Sequence, residues 1–331
     1  MASFLKANCS KFIYNFKGSK LVRLIFFALL FNLAYGRPNI HVVSSFDAHV
    51  LFDHFSLLNN RYKCFFKEPK FYRTSTKKYN PKKIIVLDPI FGGGPEIFPF
   101  LKKEKLVCFS FEPHPIPNEV YECYSRVYTW DDSLVDNHKF FKFFYPSLKP
   151  SIDDGRITKR KNLSCIIVGN WTQDRQQIVE FFQKEAPDEL AIYGRLPPNL
   201  RKNKMFKGKI GGEHDGIEKI LTLQKYKFCI CFENTPGLKG YITEKIFGCF
   251  AAGCIPIYYG AENITDFIPP ECFIDFRNFK NMGELYDLLK NMSDERLEKY
   301  ASDIRAYLAS PKADLFSLKH FEKMLQEAIE A

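Results

Sequence analysis

Between residues 163 and 259, apolar runs of strand length alternate with amphipathic runs of helix length, and this alternation restricts the fold more than any other feature. Residues 163–168, 190–193, 228–232 and 254–259 read as buried strands. Residues 174–185 read as a helix with Ile178, Phe181 and Phe182 on one side, and residues 217–223 and 243–252 as two more helices, the last closed by Gly253. Strand and helix in strict alternation imply a parallel sheet covered on both faces. Ligands of such sheets bind beyond the carboxyl ends of the strands, against helix N-termini. Upstream, KIIVL at 83–87 and KLVCFSF at 105–111 read as two more buried strands, each followed or closed by an acid, Asp88 and Glu112. The stretch 145–160 (YPSLKPSIDDGRITKR) is rich in Pro, Gly and charge and is the candidate boundary between two domains, a number that suits 331 residues. Helices around Leu285 and from Leu315 onward are expected to pack outside this framework.

A net charge of +10 invites a nucleic-acid reading, but its distribution argues against one. Residues 1–37 hold six basic side chains and no acid, which leaves +4 for the remainder, with no basic block interleaved with aromatics. The basic leader precedes an apolar run at 24–33 (LIFFALLFNL) and the small-x-small triplet Ala34-Tyr35-Gly36. The run is shorter than the roughly 20 residues that span a bilayer and has the layout of a signal peptide or short anchor. Membrane association through residues 1–36 is the expectation. Of the ten cysteines, Cys108, Cys165, Cys229 and Cys231 fall inside apolar strands, where a thiol behaves as a small hydrophobe. A reduced core and a cytosol-facing enzyme, in a bacterium or similar host, follow from that placement. The triplets Asn162-Leu163-Ser164 and Asn170-Trp171-Thr172 keep a secretory or Golgi-lumen placement as the alternative.

Lys245 lies in the first turn of a helix, where the macrodipole disfavours a cation, so something negative is expected beside it. A second cation, Arg175, opens the helix after the strand at 163–168. Both stand at strand-to-helix turns, where helix amides already favour an anion, and an arginine fork with a lysine point charge suits a diphosphate. Glu244 is an acceptor for ribose hydroxyls. Gly92-Gly93-Gly94-Pro95 lacks the Lys-Ser/Thr ending of a phosphate-binding loop and reads as a turn. The chain contains no Asp-x-Asp, and Asp131-Asp132 and Asp153-Asp154 read as solvated loop pairs. A dedicated divalent-metal site is therefore not expected, and protein cations are left to neutralise the diphosphate.

Phe232-Glu233-Asn234, then Tyr241-Ile242-Thr243-Glu244-Lys245-Ile246, then Ala252-Gly253-Cys254-Ile255-Pro256-Ile257 resemble the signature of the alpha-1,3/1,4-fucosyltransferases, glycosyltransferase family 10. Phe267-Ile268-Pro269 and Phe273-Ile274 fit as well, and the similarity is dense over residues 163–276. The resemblance implies an α/β fold of GT-B type, with two Rossmann-like domains facing a cleft and here a short N-terminal apolar leader. The implied division is a leader at 1–36, an acceptor-binding domain at 37–150, a GDP-fucose-binding domain at 151–310 and a C-terminal helix at 311–331. It further implies an inverting transfer of L-fucose from GDP-fucose to the 3- or 4-hydroxyl of a GlcNAc or Glc residue in a glycan, with no required cofactor or bound metal. Carried over by motif, Arg175 and Lys245 hold the diphosphate, Glu244 the ribose, and Asn234 and Tyr241 line the donor pocket. The family's base is a glutamate just after a strand of the first domain, which matches Glu112 in Phe109-Ser110-Phe111-Glu112-Pro113-His114-Pro115. His114, with proline on each side, is the rival base.

Two departures concern the acceptor side. Gly240 stands where many relatives carry an acid before the tyrosine, and the acceptor-binding stretch is only faintly visible around Trp130-Asp131-Asp132-Ser133. The acceptor and its linkage are not chosen by the sequence. A transferase of the same layout using another nucleotide sugar, or a catalytically silent glycan- or nucleotide-binding protein, are the alternatives.

Overall fold

The computed structural model describes residues 38–44, 62–67, 81–89, 102–114, 116–196, 204–212 and 216–331. The leader at 1–36 and the glycine turn at 92–95 lie outside the described residues. Among those described, no helix is long and apolar enough to cross a membrane.

Two six-stranded sheets, parallel throughout, form the two domains. The first contains β1 (Asn39–Ser44), β2 (Lys63–Lys67), β3 (Lys83–Leu87), β4 (Leu106–Ser110), β5 (Arg126–Thr129) and β6 (Phe140–Lys142), in the order β2-β1-β3-β4-β5-β6. One short α-helix, α1 (Asn118–Tyr121), and a 3-10 turn at Lys103–Lys105 interrupt the described part of this domain. The second contains β7 (Asn162–Val168), β8 (Leu190–Gly194), β9 (Phe206–Gly208), β10 (Tyr226–Phe232), β11 (Ile255–Tyr259) and β12 (Ile274–Asp275), in the order β12-β11-β10-β7-β8-β9. Each order reverses direction once, between β1 and β3 and between β7 and β10, and such reversals open the crevice in which ligands of doubly wound sheets sit. This is the pair of Rossmann-like domains expected of a GT-B protein.

The central strands are largely apolar because both of their faces are covered. In β10, Phe228, Ile230 and Phe232 enter one core while Cys229 and Cys231 enter the other. In β3, Ile85 and Leu87 face one way and Ile84 and Val86 the other. All nine cysteines among the described residues are free, and Cys108, Cys165, Cys229 and Cys231 are buried. Three helices cover the second sheet near the site: α2 (Gln173–Glu185), α3 (Ile217–Leu223) and α4 (Glu244–Ala251). Further helices α5 (Met282–Lys290) and α6 (Asp294–Leu308) pack around the same domain. The last helix, α7 (Leu318–Glu330), returns to the first domain. There Phe321, Met324, Leu325, Ala328 and Ile329 bury against Ile40, Val42, Ile85, Val107 and Phe109.

One member of each acidic pair read as solvated is structural instead, while Asp154 is exposed as read. Asp153 is buried between Arg160 and Arg305, at 3.6 and 2.8 Å. Asp132 ties the domains together. It receives the Lys142 ammonium at 2.6 Å and the Asn263 amide at 2.9 Å, while Asn263 accepts the Gly240 N–H at 2.8 Å. Gly240 has φ +83°, and a Cβ there would stand 2.2 Å from the Trp130 carbonyl oxygen, so both the backbone and the space disfavour a side chain at this position.

Candidate active site

One cavity of about 450 Å³ opens between the domains at the carboxyl ends of their strands. Glu112 and Tyr145 line it from the first domain, and Arg175, Asn234, Tyr241, Glu244 and Lys245 from the second. All six residues singled out in the sequence therefore meet in a single cleft. His114 is exposed and is not among the residues lining it.

Arg175 owes its place to α2, whose first turn is held by the Thr172 hydroxyl accepting the Arg175 N–H at 3.4 Å. The guanidinium is buried at 3% exposure and spans the reversal point of the sheet. It donates to the Asn170 carbonyl beyond β7, to the Phe232 carbonyl at the end of β10, and to Asn234 Oδ1 at 3.2 Å. Burial lowers its pKa, though the group stays charged. Three bonds to protein leave two of the five guanidinium N–H groups for a ligand. Arg175 is thus a strut of the cleft as well as a cation in it, a dual role the sequence does not show.

Lys245 also differs from expectation. The negative partner of its helix-start position is part of the protein: Lys245 Nζ lies 2.9 Å from Glu233 Oε2. Glu233 is completely buried and also accepts the Thr243 N–H at 3.0 Å and the Thr243 hydroxyl at 2.9 Å. Thr243, the residue before α4, spends its side chain on Glu233 and on accepting from Lys245 Nζ at 2.9 Å, and makes no side-chain cap. The Glu233 and Glu244 charges raise the Lys245 pKa above its ordinary value against the cost of burial. Its side chain remains 24% exposed toward the cleft. Glu233 lies within the family motif, and nothing in local periodicity marks it as a fully buried acid.

Glu244 stands between Lys219 and Lys245, 3.9 Å from each. Lys219 (from α3), Arg195 and Lys209 are cations of the cleft that the sequence reading missed. They lie in segments far apart in the chain and share no motif. Among the described lining residues, five basic side chains face two acidic ones, so the cleft favours an anion.

Glu112 follows β4 and is partly buried. Burial raises its pKa, opposed by the positive charge of Lys245 across the cleft and by His114. Tyr241 is buried, with its ring 5.1 Å from Trp130 and 6.1 Å from Tyr145, both in the stretch on the first-domain side. Among the described residues, no group of three or more His, Cys, Asp or Glu side chains is arranged to hold a metal ion.

Known proteins resemble this chain in sequence and in fold. Residues 157–308 match the model of glycosyltransferase family 10 (fucosyltransferase), C-terminal part. The chain is 41% identical over 74 residues to an alpha-(1,4)-fucosyltransferase of Arabidopsis thaliana, covering 22% of this chain and 18% of that protein. It is 43% identical over 68 residues to an alpha-(1,3)-fucosyltransferase of Helicobacter pylori, covering 20% and 14%. It is 28% identical over 148 residues to 4-galactosyl-N-acetylglucosaminide 3-alpha-L-fucosyltransferase 9 of Mus musculus, covering 44% and 37%. The matches therefore span well under half the length of these relatives. In three dimensions the chain resembles an alpha1,3-fucosyltransferase crystallised with GDP, with TM-score 0.58 and 14% identity over 90% of this chain and 92% of that one. It also resembles a DNA-modifying beta-glucosyltransferase, with TM-score 0.53 and 12% identity over 88% and 100%. At such identities these two show the shared fold. The second domain, which carries the matching segment and most of the cleft, is thus a glycosyltransferase family 10 (fucosyltransferase) C-terminal domain.

Proposed function

We propose that the protein transfers L-fucose from GDP-fucose to the 3- or 4-hydroxyl of a GlcNAc or Glc residue in a glycan, inverting the anomeric carbon. The observation that carries this reading is the meeting of Glu112 with Arg175 and Lys245 in one cleft from opposite domains. Direct displacement needs a base on the acceptor side and positive charge on the leaving-group side, and two domains facing a cleft supply them separately.

In this mechanism the acceptor hydroxyl oxygen attacks the anomeric carbon of fucose while its proton passes to the Glu112 carboxylate. The bond from that carbon to the diphosphate oxygen breaks, and its electron pair leaves with GDP. The Glu112 proton then returns to solvent. A carboxyl whose pKa is raised by burial is a stronger base than a free one. Lys245, the free N–H groups of Arg175 and the amides opening α4 stabilise the charge that grows on the diphosphate. Glu244 accepts from ribose hydroxyls, and Asn234 and Tyr241 shape the pocket near the fucose and phosphates. Five cations against two acids supply the countercharge from protein, so transfer is expected to survive EDTA. Complete loss restored by manganese would reveal a metal requirement. Association with a membrane, through residues 1–36 of a cytosol-facing enzyme, belongs to the same proposal. Removing those residues is expected to release the enzyme from membranes with transfer intact.

The test is turnover of GDP-fucose against a glycan array with mass detection. Addition of one deoxyhexose to 4-galactosyl-N-acetylglucosaminide or related glycans is the expected result. GDP is expected to raise the melting temperature far more than UDP. Equal stabilisation by UDP, with no product on the array, would overturn the reading in favour of another nucleotide sugar.

A further inference from the structure

The backbone of Glu112 is held by two side chains that the proposed reaction does not use. Asp88 follows β3 at the reversal point of the first sheet and is 3% exposed. Its Oδ1 accepts the N–H of Phe111 at 2.6 Å and the N–H of Glu112 at 2.9 Å. On the other side of the same residue, Trp130 Nε1 donates to the Glu112 carbonyl at 3.2 Å. Trp130 follows β5, so side chains from beyond the two strands that flank β4 grip the residue from its amide and its carbonyl.

The arrangement at Asp88 is costly. Its φ is 49°, and only one other non-glycine residue among those described, Asn137, has a positive φ. Its second oxygen, Oδ2, is buried and has no hydrogen-bond partner among the described residues. Backbone strain and an orphaned buried oxygen both oppose folding, and such features persist where the surrounding structure needs them. Two amides at a strand end would be satisfied equally by water or by a residue in ordinary conformation. What Asp88 adds is a fixed direction for the chain as it leaves β4.

We propose that Asp88 is a positioning residue for transfer: by clamping the amides of Phe111 and Glu112 it fixes the direction in which the Glu112 carboxylate enters the cleft, with Trp130 completing the clamp at the carbonyl. The inference rests on Glu112 acting as the base. Both amides go to Oδ1, which leaves Oδ2 as the oxygen that takes a proton, so the clamp holds in either protonation state. This matters because burial lifts the Asp88 carboxyl to about 7, against the pull of the two amides and with the Glu112 charge adding to the rise. It also makes asparagine the conservative replacement, since its amide oxygen can take over the role of Oδ1.

The experiment compares Asp88→Ala, Asp88→Asn and Glu112→Gln in the full chain. It uses steady-state transfer from GDP-fucose to a 4-galactosyl-N-acetylglucosaminide, or to the best acceptor on the array, beside calorimetric GDP binding. Misplacing a reacting group by about 1 Å costs on the order of 10²-fold, so kcat of Asp88→Ala is expected to fall by about that factor. Its GDP affinity and its KM for GDP-fucose are expected to stay within about twofold of wild type, because the hydrogen bonds of Asp88 all go to Phe109, Phe111 and Glu112 in the first domain. Asp88→Asn is expected to recover most of the loss. Three results would overturn the inference: Asp88→Ala turning over like wild type, Asp88→Asn as slow as Asp88→Ala, or GDP affinity falling in parallel with kcat. If Glu112→Gln turns over like wild type, the base assignment fails, and the clamp with it, whatever Asp88 does.

Discussion

Replacing Lys245 by methionine tests whether the countercharge at the start of α4 is Glu233. The substitution keeps the length of the side chain and removes its charge. It leaves the Glu233 carboxylate at 0% exposure with only the Thr243 N–H and hydroxyl as partners. Breaking a buried ion pair from one side costs about 3–5 kcal/mol, mostly the penalty of an uncompensated buried charge. Lys245 is itself a quarter exposed, so its own desolvation adds little to that figure. At roughly 2–4 °C per kcal/mol for domains of this size, the melting temperature is expected to fall by about 6–20 °C. Glu233→Gln added to Lys245→Met removes the stranded charge and is expected to restore most of the loss, while GDP binding stays weak. Thermal and urea unfolding at neutral pH, with calorimetry against GDP, separate the two effects. The reasoning is refuted if Lys245→Met costs less than about 1 kcal/mol, the scale of an exposed pair, or if the double variant is no more stable than the single one.

Glu112→Gln is expected to slow transfer on the order of 10²–10⁴-fold with GDP affinity nearly unchanged, and parallel loss of GDP binding would move Glu112 to the donor side. Two buried groups give opposing pH dependences. Burial, helped by the charge of Lys67, holds the His41 pKa at about 4, so its contribution to stability is lost as pH falls from about 6.5 toward 4. Burial lifts Asp88 to about 7, so its proton-linked stability is lost as pH rises from about 4 to 7. Each group carries up to about 3–4 kcal/mol across its window, and between pH 4.5 and 6.5 the two slopes oppose. Relative to wild type, Asp88→Asn should therefore gain stability with rising pH and His41→Gln should lose it; melting curves that tilt alike in both variants would contradict this. Gly240→Ala is expected to cost about 1–3 kcal/mol, since it strains a positive φ and crowds the Trp130 carbonyl; chemical unfolding measures it, and an unchanged midpoint would show that the interdomain bridge is loose.

The sequence by itself determines the strand and helix alternation of the second domain. The run at 217–223 is α3 residue for residue, and the others differ from their elements by one or two residues at the ends. Apolar runs bounded by Gly, Pro and polar residues carry their own signal, because a strand buried on both faces has to be apolar throughout. The family motif supplies the donor-side residues, and these lie along two adjacent strand-to-helix turns where local chemistry already favours an anion. What the sequence leaves out depends on approach between distant segments. Glu233 looks like any acid until the fold buries it against Lys245. Asp132 and Asp153 look solvated until Lys142, Asn263, Arg160 and Arg305 close over them. The clamp on Glu112 joins β3, β4 and the end of β5, and α7 crosses back to the first sheet. Periodicity reports which side of an element is apolar; only the tertiary structure decides which charges lose their water, and therefore which of them must find a partner.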